Sequence, residues 1–183
     1  MQKDELWQEY DARGVRILNG GLPVHSDTDE FYAGVAIMLY RFKNNNVEFL
    51  FQKRSRFVDH NAGKWDVSAG GHINYEELVL DAVVRESQEE IGAKIDAEKV
   101  EFAAKYQVGP DRIVYLYFYD FSEQDDDFHF DDKEVEEVRW VAYKDYEKFA
   151  AEAPIKEILR EDKIYNLCLE RWQEKIQEKY GNL

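Results

Sequence analysis

The chain has 183 residues, 44% hydrophobic and 15% aromatic, enough for one sizeable domain with a packed core and too apolar for a disordered chain. Its 24 basic and 39 acidic residues leave a net charge of −15, which excludes general attraction to nucleic-acid phosphates or anionic membranes. A single cysteine, Cys168, excludes an internal disulfide and a thiolate metal cluster.

The polar N-terminus, Met1 to Glu5, lacks the apolar stretch of a signal peptide. No apolar run reaches the roughly 18 residues that span a bilayer. The expectation is a soluble, cytoplasmic protein in a reducing compartment. The whole chain, 1–183, reads as one domain.

In chain order, Leu6–Tyr10 and Val15–Leu18 flank Asp11–Gly14 and predict an N-terminal hairpin over about residues 4–20. Asn19-Gly20-Gly21 is expected to end it, with a polar loop to Glu30. Ala33–Phe42 and Val47–Gln52, split by Asn44-Asn45-Asn46, predict a second, buried hairpin. Trp65–Ser68 is a short strand candidate. Glu76–Ile91 has helical periodicity and stops at Gly92, a suitable residue for the position just past a helix end. Strands over Val100–Gln107 and Arg112–Phe121 precede an acidic loop, Glu123–Glu137, and a strand at Val138–Val141. Behind Pro154, Ile155, Ile158, Leu159, Tyr165, Cys168, Leu169, Trp172 and Ile176 recur at three-and-four spacing and predict a C-terminal helix over about 154–180. The class is α/β in the broad sense, an α+β arrangement with a mixed β-sheet sandwiched between helices.

The mid-chain helix carries too many carboxylates. At about 100° per residue, Glu86, Glu89 and Glu90 continue the stripe of Val79, Ala82 and Val83. Leu80, Val84 and Ile91 form a second apolar face, so the helix is expected to lie between two layers. Acids at i,i+3 and i,i+4 near a helix C-terminus repel one another and oppose the dipole. Protons or cations must neutralise such a group once it is partly buried. Oxygen ligands without His or Cys suit Mg²⁺, or Mn²⁺. A solvated acidic face is the bland alternative, and helix geometry does not choose between the two.

Gly71, Glu77, Arg85-Glu86, Glu89-Glu90 and Gly92 stand at the spacing G-x(5)-E-x(7)-R-E-U-x-E-E-x-G-U, with U a bulky apolar residue. Over residues 71–93 the chain therefore resembles the Nudix box, with every fixed position matched. Only Ser87 and Ala93 depart, at U positions, and they predict looser packing there. Gly63–His72 and Glu137–Val141 are similar to the strands around that box. The opening Asp4–Trp7 with Tyr10-Asp11 resembles the branch that includes isopentenyl-diphosphate isomerase-like Nudix proteins.

The resemblance implies a Nudix fold and hydrolysis of a pyrophosphate bond in a nucleoside diphosphate linked to another group. Glu86, Glu89, Glu90 and the Gly71 carbonyl would hold Mg²⁺. Either Glu89 or Glu90 would take the proton from water, and Arg85, paired with Glu77, would orient a carboxylate. Lys53, Arg54 and Arg56 are candidates for substrate phosphates. Glu134, Glu136 and Glu137 are candidates for a further acid. His72 could face the site, and Tyr32, Tyr115 and Tyr117 could stack on a base. The partner is a small nucleotide-type molecule, with no nucleic acid and no membrane, and a homodimer is expected from the aromatic hairpin and the long C-terminal helix.

Two other functions compete. An isomerase would need a cysteine where Gly70 stands and a glutamate near Ile113, and neither is present. A non-catalytic nucleotide-binding module would be marked by lost box glutamates, and none is lost.

Overall fold

A computed structural model describes residues 6–10, 16–23, 31–110, 112–131, 133–154 and 163–180. Its strands are β1 (Leu6–Tyr10), β2 (Arg16–Pro23), β3 (Phe31–Lys43), β4 (Asn46–Arg54), β5 (Trp65–Asp66), β6 (Glu101–Val108), β7 (Arg112–Asp120) and β8 (Val135–Ala142). The helices are α1 (Val79–Ile91), α2 (Tyr146–Glu152) and α3 (Lys163–Tyr180).

β3 is the spine. It runs parallel to β7 from Tyr32↔Arg112 to Tyr40↔Asp120, and its far end turns antiparallel into β4. The turn residues Asn44 and Asn45 have φ of 50° and 60°, a left-handed pair that asparagine tolerates and that matches hairpin twist. β4 continues the sheet to β8 and β5, and β7 pairs with β6 on the other side. The sheet is therefore mixed, as expected.

Successive side chains of β3 serve two cores. Val35, Ile37 and Leu39 pack on the layer that contains Ala82, Val83 and Ile91 of α1. Ala36, Met38 and Tyr40 pack on the opposite layer with Tyr146 and Ala150 of α2 and Tyr165, Leu169, Trp172 and Ile176 of α3. A strand covered on both faces must be apolar at every position, which is why Ala33–Tyr40 reads as a run rather than an alternation. Cys168 lies in this second core and is buried.

Several boundaries move. Asn19, Gly20 and Gly21 do not end the hairpin: β2 runs through them, with Gly21 opposite Gln8, because pairing with β1 supplies the order that glycine lacks. Residues 11–15, the polar loop at 24–30, and Ile155, Ile158 and Leu159 lie outside the described residues. Only Trp65 and Asp66 are strand. Ser68 instead accepts from Leu39 N at 2.8 Å and donates to Leu50 O at 2.6 Å, stitching β3 to β4 where they diverge.

The helix starts at Val79, since Glu76 has a left-handed φ of 64° and Asn74–Glu77 forms a turn. Its second apolar face is covered only in part: Ile91 is buried, but Leu80 is 38% exposed and Val84 only half-buried. Helix α1 is an outer layer. Nor is Ser87 loosely packed, because it is fully buried and donates to Val83 O at 2.7 Å. β8 begins at Val135, so Glu136 and Glu137 belong to a strand rather than to the acidic loop.

Candidate active site

Residues 69–73 run along the edge of β3, with Ile37 N on Ala69 O, Val35 N on Gly71 O and Ile73 N on Ala33 O, all between 2.9 and 3.1 Å. This sets Gly71 directly under α1. A Cβ at Gly71 would collide with both oxygens of the Glu86 carboxylate, so only glycine allows that approach. At the other end of α1, Gly92 has φ 68°, and the N–H groups of Gly92 and Ala93 close onto Gln88 O and Ser87 O, ending the helix after Ile91.

Arg85 is the hub. Nε donates to Glu77 Oε1 at 2.8 Å, one terminal nitrogen to Glu86 Oε1 and Glu89 Oε2 at 2.8 and 2.9 Å, and the other to His72 O and Glu77 Oε2 at 2.8 and 3.0 Å. These contacts use every N–H of the guanidinium. Burial pushes the Glu77 carboxyl up, but the Arg85 fork and the Asn74 N–H outweigh it and hold it below the usual range.

Glu90 is 3% exposed. Its Oε2 accepts from Gln52 Nε2 and Gly70 N, both at 2.8 Å, and Oε1 lies 3.9 Å from Arg54. Burial first, then repulsion from Glu86, raises its carboxyl well above the usual range, against the Gly70 N–H. Burial likewise pushes Glu86 up to about 7, although Arg85 opposes it. Glu89 is different, with its side chain 53% exposed.

Four carboxylates, Glu77, Glu86, Glu89 and Glu90, thus meet two guanidiniums, Arg85 and Arg54. The cluster is short of positive charge. Its donors are all oxygen, and Gly71 brings its backbone directly against the Glu86 carboxylate, so the residues fit a hard divalent cation. As the side chains stand, no three acids surround a common point among the described residues. Arg85 holds Glu86 and Glu89, and Glu90 turns to Gln52 and Gly70. A cation would have to draw Glu89 away from Arg85.

The other sequence candidates divide. Arg54 reaches the cluster, lying between Glu90 and Glu134, the latter at 3.6 Å. Lys53 and Arg56 both bind Glu136 instead, which these two cations hold down at about 2. Glu137 pairs with Arg139 on its own strand. Of the three further acids, Glu134 alone contacts a residue that reaches Glu90. His72 stacks on Trp7 with ring centroids 3.9 Å apart, and Tyr32 leans on both. Tyr117 is buried in the α1 core, and Tyr115 packs against it.

Sequence reading missed Gln52, Gly70 and Asp66. Gln52 had a signal: a polar residue at the end of an apolar strand, with the parity of Leu50 and so on the α1 face. Asp66 pairs across β4–β5 with Gln52, and its charge bears on Glu90. Gly70 also bears on the isomerase alternative. A Cβ there would sit 2.5 Å from Val35 O and 3.1 Å from Ala36 Cα, so no cysteine fits without moving the backbone.

Two outcomes are expected here. Gly71→Ala should displace Glu86, lowering activity by about 100-fold in a protein that still folds, read by turnover and thermal melting together. In the metal-free protein, Glu86 is protonated more readily folded than unfolded. Its contribution is therefore fully present below about pH 4.5 and is lost as pH rises through about 7, a loss of about 3 kcal/mol. Glu86→Gln should flatten that fall. Denaturant melts of both proteins from pH 4.5 to 8 check it.

The NUDIX domain family matches residues 31–162. The chain belongs to the Nudix family. The match takes in β3 through the acidic cluster to β8 and α2, and its box is the Gly71–Ala93 segment just described. Nudix hydrolase 3 of Arabidopsis thaliana is 32% identical over 98 residues, which are 54% of this chain and 12% of that protein. The chain thus spans a small part of the relative it matches.

Solved structures agree in fold. DR0079 from Deinococcus radiodurans has a TM-score of 0.69 at 19% identity, covering 91% of this chain and 98% of that one. The NUDIX domain of Shewanella oneidensis NrtR, complexed with ADP ribose, has a TM-score of 0.61 at 17% identity, covering 78% and 88%. A bifunctional NMN adenylyltransferase/ADP ribose pyrophosphatase from Francisella tularensis, complexed with AMP and a Mn ion, has a TM-score of 0.60 at 15% identity, covering 81% and 44%. Among the described residues no helix is long and apolar enough to cross a membrane.

Proposed function

We propose that this Nudix protein hydrolyses the pyrophosphate bond of a nucleoside diphosphate linked to a second group, with Mg²⁺, or Mn²⁺, held by Glu86, Glu89, Glu90 and the Gly71 carbonyl. The observation that carries the reading is the uncompensated charge of the buried pair Glu86 and Glu90 beside Gly71. Two solved Nudix relatives, complexed with ADP ribose and with AMP and Mn, support the substrate class. A divalent cation there neutralises phosphate charge and acidifies water.

The chain's own groups do the rest. Gln52 and the Gly70 N–H grip one oxygen of Glu90 and leave the other toward Arg54. Arg85 orients Glu86 and Glu89. Glu89, half open to solvent, takes the proton of the attacking water. Arg54 meets a substrate phosphate.

The test is Mg²⁺-dependent product release from nucleotide sugars, dinucleotides, and nucleoside di- and triphosphates, with isopentenyl diphosphate isomerisation assayed alongside. Turnover that requires Mg²⁺ and fails in Glu89→Gln is the expected result. Saturable nucleotide binding without turnover would make the protein a binding module, and isomerisation would overturn the argument from Gly70.

A further inference from the structure

Arg112, at the start of β7, contrasts with Arg85. Its Nε is buried with no hydrogen-bond partner, and among the described residues no ion pair engages its guanidinium. Removing a guanidinium from water without a counter-charge is unfavourable, so a structural role does not explain it. The surroundings do.

Arg112 sits beside Tyr32 in the β3–β7 ladder and lies over Gly34. A Cβ on Gly34 would be 3.1 Å from one terminal nitrogen of Arg112, 3.4 Å from Nε and 2.7 Å from Gly71 O. The guanidinium and the carbonyl next to the acidic cluster thus both close on the bare backbone of Gly34, which has no room for a Cβ and so holds the Arg112 fork beside that cluster. Gly34 also bridges to His72, whose ring stacks on Trp7 while Tyr32 tilts against both.

An unpaired arginine fork fits a phosphate group, and a half-buried wall of rings fits a planar base. We propose that Arg112, held against Gly34 beside the acidic cluster, anchors a phosphate of the substrate, with the adjoining base placed against Tyr32, His72 and Trp7. The inference deepens the hydrolase reading and rests on it for the substrate class, but the binding it describes needs no turnover. Gly34 is part of the device, since any side chain there would meet the guanidinium and the Gly71 carbonyl.

The experiment measures binding of ADP and of inorganic pyrophosphate by calorimetry without divalent metal, so that chemistry does not intervene. Arg112→Met should weaken both by about 10- to 100-fold, the loss of a charge-assisted hydrogen-bonded contact. Arg112→Lys should recover part of that, and Tyr32→Ala should weaken ADP while sparing pyrophosphate. With metal restored, Arg112→Met should raise KM and leave kcat within about three-fold.

Thermal melting separates this from a structural role. Relieved of an unpaired charge, Arg112→Met should melt at or above the wild-type temperature. ADP and pyrophosphate binding unchanged in Arg112→Met, no binding by the wild type, or a lower melting temperature that Arg112→Lys restores would each overturn the proposal. Binding that depends on Arg112 in a protein that hydrolyses nothing would sink the hydrolase reading and leave this one standing.

Discussion

Glu90→Gln is expected to lower hydrolysis by at least about 10³-fold without unfolding the protein. Glutamine keeps the shape and one acceptor oxygen, so the donors Gln52 Nε2 and Gly70 N retain a partner. What disappears is a full negative charge in a place that is 3% exposed. Burial and Glu86 already drive that carboxyl toward its neutral form in the absence of metal. The variant should therefore melt at or above the wild-type temperature without metal, and gain less than wild type when Mg²⁺ is added. Turnover and melting, each with and without Mg²⁺, read both halves. Activity within ten-fold of wild type would remove Glu90 from the machinery.

Arg85→Met should cost about 3–5 kcal/mol at neutral pH, the usual penalty for stripping the partner from clustered, partly buried charges. Three carboxylates lose their shared cation at once, and the His72 carbonyl loses a donor. The pH dependence has a definite sign. Glu77 is held below its usual range, so the stability that it contributes exists above its ordinary pKa and fades as pH falls. The difference between wild type and Arg85→Met should accordingly shrink in acid. Arg85→Lys keeps the charge but has three donors in place of five, so it should recover only part of the stability and little of the activity. Urea melts at pH 4 and pH 7 decide the point. A loss equal at both values would mean that Arg85 acts through packing alone.

Much of this was readable from residue order. The seam β3–β4 shows as two apolar runs split by asparagines, because a strand covered on both faces cannot alternate. The box declares itself through the spacing of Gly71, Glu77, Arg85-Glu86, Glu89-Glu90 and Gly92, where helix geometry by itself leaves a solvated acidic face equally open. Gly92 ends that helix where a left-handed residue is needed. Such signals are local: period, cap and spacing are properties of neighbouring residues, and the chain carries them wherever it folds.

Other features depend on contacts between distant segments. The apolar residues Leu80, Val84 and Ile91 predict a covered face, and of the three only Ile91 is fully buried. Lys53 and Arg54 are adjacent in sequence, yet Lys53 turns to Glu136 and Arg54 to Glu90, because alternate strand residues face opposite ways. Gln52 and Gly70 become the grip on Glu90 only when β4 and the edge of β3 bring residues 18 positions apart to one carboxylate. Arg112 reads in sequence as an ordinary strand start, and only the packing of β7 on β3 lays it over Gly34 with no counter-ion among the described residues. Charge compensation is a sum over neighbours in space, so the order of residues names the charged groups, and the fold alone determines which of them go unpaired.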